Sequence, residues 1–233
     1  MKSNKFYLST LFGLILIFGS SLLLAQVTMT VNSLADDEYS YPWDDADTEF
    51  DESRDGICRD ELGRCTLRAA IEEANNMSVP LLLTFGVSGA IDLIDVLYIP
   101  DQSRLRGEGK IELQGELCFE INYNNMISGF KFNNSLEAIR VVGEANSIGT
   151  FETGNTFINC YIALNIEGDN NVVMGNYFGL DANKVLGPNQ FGIMVTGSNN
   201  QLGTISDYGN TICASVVAGI SILVGYGNTI RNN

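Results

Sequence analysis

Beyond residue 97 the chain alternates apolar and polar positions in short runs, each closed by Gly or Asn, and the runs stack into lines. Ala138-Ile139-Arg140-Val141, Ala163-Leu164-Asn165-Ile166, Gly192-Ile193-Met194-Val195 and Gly219-Ile220-Ser221-Ile222 share one pattern and step by 25, 29 and 27 residues. A second line, Asn146-Ser147-Ile148, Asn171-Val172-Val173, Asn200-Gln201-Leu202 and Asn228-Thr229-Ile230, moves with it. A third begins Gly154-Asn155-Thr156-Phe157, Gly175-Asn176-Tyr177-Phe178 and Gly209-Asn210-Thr211-Ile212. Weaker coils lie around Cys118–Ile121 with Met126–Phe130, and around Leu97–Ile99 with Leu105–Leu113. A period of roughly 20–30 residues with three short strands in it predicts a solenoid. No fixed Leu grid supports a leucine-rich repeat, and the returns are too tight for crossover helices. Each coil then pairs in parallel with the next, ~4.8 Å away, around a narrow core of Ile, Val, Leu and Phe. Asn at the corners tolerates positive φ and can ladder with the Asn above it. The predicted fold is an all-β, right-handed parallel β-helix. Residues 181–188 lengthen one coil and should protrude as a loop.

The N-terminal part reads differently. Lys2 and Lys5 precede an apolar run over 6–24 that ends at Ala25, the parts of a secretory signal peptide cleaved after Ala25. Gly19-Ser20-Ser21 interrupts the run and no basic flank follows, which disfavours an uncleaved anchor, and no later stretch is long enough to span a membrane. Further on, Leu67, Ala70, Ile71 and Ala74 fall on one face of a helix, with Thr66 as N-cap and Asn75-Asn76 and Pro80 as its end. So short a helix must pack on something apolar, and the open end of the coils is the natural place. The expected organisation is a signal peptide at 1–25, an acidic cap with this helix at 26–80, and coils at 81–233. The last line stops in mid-coil with no cap after it, so the stack is expected to be truncated at the C-terminus.

Charge narrows the chemistry. The 233 residues hold 13 Lys+Arg, 28 Asp+Glu and no His, a net charge of −15. Nothing here would neutralise phosphates, which excludes a nucleic-acid partner, and the lack of His excludes His-ligated metals and Ser-His-Asp or Cys-His catalysis. Twelve of the acids lie between Asp36 and Glu61. Such a cluster is ordinarily a solvated loop, but Asp47, Asp51 and Asp55, followed by Gly56, could converge on a calcium ion. No other cofactor is expected. Cys58 and Cys65, in an exported chain, are expected to form a disulfide that ties the acidic segment to the helix.

The run Asp55-Gly56-Ile57-Cys58, then Cys65-Thr66-Leu67-Arg68-Ala69-Ala70-Ile71-Glu72-Glu73-Ala74-Asn75, resembles the CSLREA motif that opens many bacterial secreted or surface proteins. Thr stands for Ser at 66 and Ala for Glu at 69. Gly175-Asn176-Tyr177-Phe178-Gly179-Leu180-Asp181 resembles a recurrent coil of the same family. The resemblance implies an N-terminal cap followed by β-helix coils of the pectin-lyase-like kind, without implying an activity.

Polysaccharide lyases and hydrolases on β-helices are the rival to a binding role, and they need paired carboxylates or a base beside a carboxylate-binding cation. The acids after Arg106 form no evident repeated pair. Arg140 and Glu167 could meet across adjacent coils as an exposed ion pair. Tyr161, Tyr177, Phe178, Tyr208 and Tyr226 could stack on sugars, though packing in or along the core is the commoner use of such rings. Cys118, Cys160 and Cys213 read as buried small apolar residues. The expected protein is a secreted or cell-surface, adhesin-like module without catalytic residues, whose partner is an extracellular glycan or surface protein.

Overall fold

The computed structural model describes residues 26–36, 56–60, 62–181, 183–204 and 208–233. Residues 1–25, the expected signal peptide, and the candidate calcium ligands Asp47, Asp51 and Asp55 lie outside the described residues.

The chain winds into a parallel β-solenoid of about six turns. Three strips of strand run along it. The first joins Val27–Val31, Leu81–Phe85, Arg104–Gln114, Met126–Asn133, Ser147–Ile148, Val172–Val173, Gln201–Leu202 and Thr229–Ile230. The second joins Gly89–Asp92, the C-terminal halves of Arg104–Gln114 and Met126–Asn133, then Thr156–Ile158, Tyr177–Phe178 and Thr211–Ile212. The third joins Leu97–Ile99, Leu117–Ile121, Glu137–Val141, Ile162–Ile166, Phe191–Val195 and Ala218–Ile222. Ile139, Leu164, Ile193 and Ile220 stand in one column, as the first sequence line requires. The Asn146 and Asn155 lines fall in register in the same way.

Two corners are lined by side-chain amides. Each backbone N–H of Ser103, Asn125, Asn146, Asn171 and Asn200 donates to the side-chain oxygen of the Asn one coil on, at 2.8–2.9 Å. Phe130, Asn155, Asn176 and Asn210 do the same at the next corner, ending on Asn233. Buried backbone donors are thus satisfied by a side chain that is itself anchored. At the first corner the positive φ falls one position earlier, on Gln102, Asn124, Ala145, Asn170, Asn199 and Gly227. The turn and the ladder, which a single Asn was expected to serve, are divided between neighbours.

The core between the strips is apolar throughout. Phe132, Phe157 and Phe178 stack along the axis at 5.0 and 4.7 Å with rings almost parallel. Where the expected protruding loop is described, at Asp181 and 183–188, it is closed by a bridge between Leu180 and Leu186 and by Asp181 Oδ1, which accepts from Val185 N.

The helix Leu67–Met77 sits over the first coils, with Leu67, Ala70, Ile71 and Ala74 buried. Thr66 Oγ1 accepts from Ala69 N at 3.1 Å, and Ser78, at φ 55°, ends the helix with its N–H turned back to Asn75 O. One element was not anticipated. Val27–Val31 pairs with Leu81–Phe85 as an opening strand, burying Met29 and Val31. Its period-two pattern is only five residues long and is matched nowhere by a repeat.

Candidate functional site

Outward positions of the third strip align as Tyr98, Glu120, Arg140, Asn165, Met194 and Ser221. Arg140 forms the expected pair with Glu167, at 3.8 Å, but Glu137, nearly buried on its own strand, is the closer partner, and Glu120 lies 3.5 Å away. Asn165 Nδ2 donates to Glu167 at 3.0 Å. Three carboxylates therefore surround one guanidinium on the strip. On the second strip Glu112 takes Lys131 at 2.9 Å and Asn133 Nδ2 at 2.6 Å. Partial burial works to raise the Glu112 carboxyl, yet the hydrogen bonds from Asn133 and Lys131 bring it below its ordinary range. The cations Arg140 and Lys131 on these strips are thus each engaged by carboxylates.

A different surface opens where the first strip turns into the second. A cleft of about 380 Å³ is lined by Arg106, Glu108, Ser128, Phe151 and Glu152 among others. One wall carries Glu108, paired with Lys110 at 2.7 Å. The other is a turn tied by Thr150, whose Oγ1 accepts from Thr153 N at 2.9 Å and whose N–H donates to Thr153 O at 3.0 Å. Phe151 stands at the tip of that turn, 61% exposed, and its ring meets the exposed Tyr208 ring at 5.8 Å. Apart from Tyr208, no aromatic ring packs on Phe151 among the described residues, and most of the side chain faces water.

Two further depressions are shallower in chemistry. One lies beside the helix at Asn75, Tyr98 and Asn122. The other carries Glu144, Glu167 and Asp169, of which Asp169 accepts from Ser198 N and Glu144 from Asn170 Nδ2. Among the described residues no three His, Cys, Asp or Glu side chains are grouped to hold a metal ion.

Cys58 and Cys65 are joined, as expected. Cys118 and Cys160 are buried thiols, as expected, whereas Cys213 is half-buried. Burial pushes Cys118 up to about 12 and Cys160 to about 11, which keeps both as unreactive thiols. Of the aromatic residues singled out in the sequence, Phe178 packs in the core and Tyr161, Tyr177, Tyr208 and Tyr226 remain exposed. Sequence reasoning missed Phe151, whose only local signal is one large apolar residue between Thr150 and Glu152. It also missed the buried pair of Asp36 and Arg68, separated by 32 residues with no pattern linking them.

No family model, no curated protein and no solved structure matches the chain.

Proposed function

We propose that this is an exported β-helix module of the CSLREA kind, secreted or held at the cell surface, that acts by binding an extracellular glycan or surface protein rather than by catalysis. The observation that carries this reading is the contrast between the strips and the cleft. Charged side chains on the strips are paired with one another, while exposed rings, Phe151 with Tyr208 foremost, are left facing water. Paired charges give a strip little with which to drive proton transfer, whereas exposed rings on a rigid frame are common anchors of recognition.

Export and binding are tested together. The N-terminus of protein recovered from the culture medium or cell surface is expected to begin at Gln26 by mass spectrometry, and that protein is expected to adhere to immobilised glycans or to cells. Release of unsaturated uronates or new reducing ends from polysaccharides by the same material, abolished by a substitution on a strip, would replace this reading with the lyase or hydrolase one.

A further inference from the structure

Resting on the binding role proposed above, we infer that the cleft beside Phe151 is a site for a neutral, extended oligosaccharide, with the Phe151 ring as its stacking platform.

The cleft is made by unequal turns. Between the first and second strips the register leaves residues 107–110 on one coil, Gly129 alone on the next, residues 150–154 on the third and Gly175 alone on the fourth. Long and short turns alternate, so two ridges stand above a lowered coil. The low floor depends on glycine: Gly129 has φ 75°, and a Cβ there would stand 2.6 Å from Glu108 N. The ridges are two coils apart, ~9.6 Å from centre to centre at ordinary strand spacing, and they close on the floor, where a Cβ on Gly129 would also stand 3.1 Å from Thr153 Cγ2, so a sugar would lie across the mouth of the cleft against Phe151.

The chemistry of the cleft matches its shape. A pyranose offers an apolar C–H face and a rim of hydroxyls. Phe151 supplies an exposed apolar ring, and Arg106, Glu152 and Ser128 supply donors and acceptors around it. Thr150 fixes the turn before any ligand arrives, which lowers the ordering cost of binding. Charge then selects among sugars. Glu108 is paired with Lys110, and Arg106 and Glu152 are of opposite sign, so the cleft has no excess of positive charge. The whole chain carries −15, a field against which a polyuronate would have to approach. A cleft of about 380 Å³ also lies within the size range of small-ligand sites.

The test titrates the full exported chain with cellohexaose, xylohexaose and mannohexaose, and with a galacturonate oligomer, by calorimetry and by ligand-observed NMR. At least one neutral hexasaccharide should bind, and the galacturonate should bind more weakly or not at all. Phe151→Ala should weaken the neutral ligand about tenfold, the scale of one lost aromatic anchor, with only a small fall in the unfolding midpoint, because the ring is exposed and its described ring contact is the exposed Tyr208. Tyr98→Ala, on the third strip, should leave affinity unchanged. Binding indifferent to Phe151→Ala, preference for the galacturonate, or no binding of any neutral hexasaccharide would each overturn the inference. If no sugar binds while the chain still adheres to cells through a protein, the inference fails and the binding role stands. If it adheres to nothing, both fail.

Discussion

The coil array and the N-terminal cap solve the same problem, the satisfaction of buried polar groups, by opposite means. In the coils each partner is the same residue type one turn away, as where Asn146, Asn171 and Asn200 pass one hydrogen bond along the stack. In the cap every partnership is unique. Arg68 reaches Asp36 through two nitrogens at 2.9 and 2.8 Å and also donates to Asp95 O, while Asn32 Oδ1 accepts from Cys65 N. A repeated contact spreads its failure over neighbours of the same kind. A unique contact leaves its partner stranded. The cap is therefore where single substitutions should do the most harm.

Arg68→Met sharpens that contrast most. Asp36 would keep Ile94 N as a donor but lose its only described cation while remaining buried. Denaturant unfolding should show a loss of about 3–5 kcal/mol, the cost of orphaning one member of a buried pair. Arg68→Met with Asp36→Leu should recover most of it. A double variant as weak as the single one would mean that the pair is not what holds the cap.

Within the ladder, Asn176→Leu is the corresponding break. Asn176 accepts from Asn155 N at 2.8 Å and donates to Ile148 O at 2.8 Å, so leucine orphans Asn155 N and takes from Ile148 O one of its two donors, Met174 N remaining. A loss of about 3 kcal/mol is expected. Asn125→Leu is the internal control. Its Nδ2 has no partner, so only the bond accepted from Ser103 N is lost, and the loss should be roughly half as large. Equal losses at the two sites would show that the accepted backbone bond carries the whole effect and that the bonds Asn176 donates add nothing.

The same contrast explains what could be read without coordinates. In a solenoid a line in the sequence is a column in space, so the 138, 146 and 155 lines carried strand register as well as strand location. Nothing comparable links Val27–Val31 to Leu81–Phe85, or Asp36 to Arg68, because contacts made once leave no period. The cleft lies between these cases. It arises from differences in turn length, and only its 150–154 wall was present in the spacing of the two Asn lines, nine residues at 146 and 155 against five at 171 and 176, while the turns at 107–110 and Gly129 are flanked by no such pair of Asn. Repeat reading looks for what coils share, whereas this site is built from what they do not share.

Reduction of Cys58–Cys65 should separate the two regions. The bridge closes a short loop, worth about 2.5 kcal/mol on a chain-entropy model, and lies wholly in the cap. Under reductant, hydrogen exchange should accelerate in Leu67–Met77 while Ile162–Ile166 keeps its protection. Uniform acceleration would show one cooperative unit instead. In the coils a smaller gain is available. Ala145 holds φ 61° at the position where the adjacent coils carry Asn124 and Asn170, and it is exposed. Ala145→Asn should stabilise the chain by about 1 kcal/mol by placing a residue that tolerates this conformation there. A neutral or lower unfolding midpoint would count against division of turn and ladder between neighbours.

The smallest effect tests the cap through pH. Burial pushes the Glu72 carboxyl up to about 7, with nearby Asp36 acting in the same direction and Arg68, 3.8 Å away, acting against both. A raised folded value means that the folded cap holds the Glu72 proton more tightly than the unfolded chain does. The resulting stability is fully present below the ordinary carboxylate value of 4.5 and is lost as pH rises through about 7. Glu72→Gln mimics the protonated group at every pH. It should match the parent in acid and exceed it above neutrality, by no more than about 1 kcal/mol, because a third of the side chain faces water, which screens its charge. Titration of all other carboxylates cancels between parent and variant. The difference should also appear in hydrogen exchange of Leu67–Met77 and not in Ile162–Ile166, since nothing in the coils touches Glu72 through a repeat. A parent–variant gap that is the same at pH 5 and pH 8 would show that Glu72 stays ionised throughout, and that the cap accommodates its charge without cost.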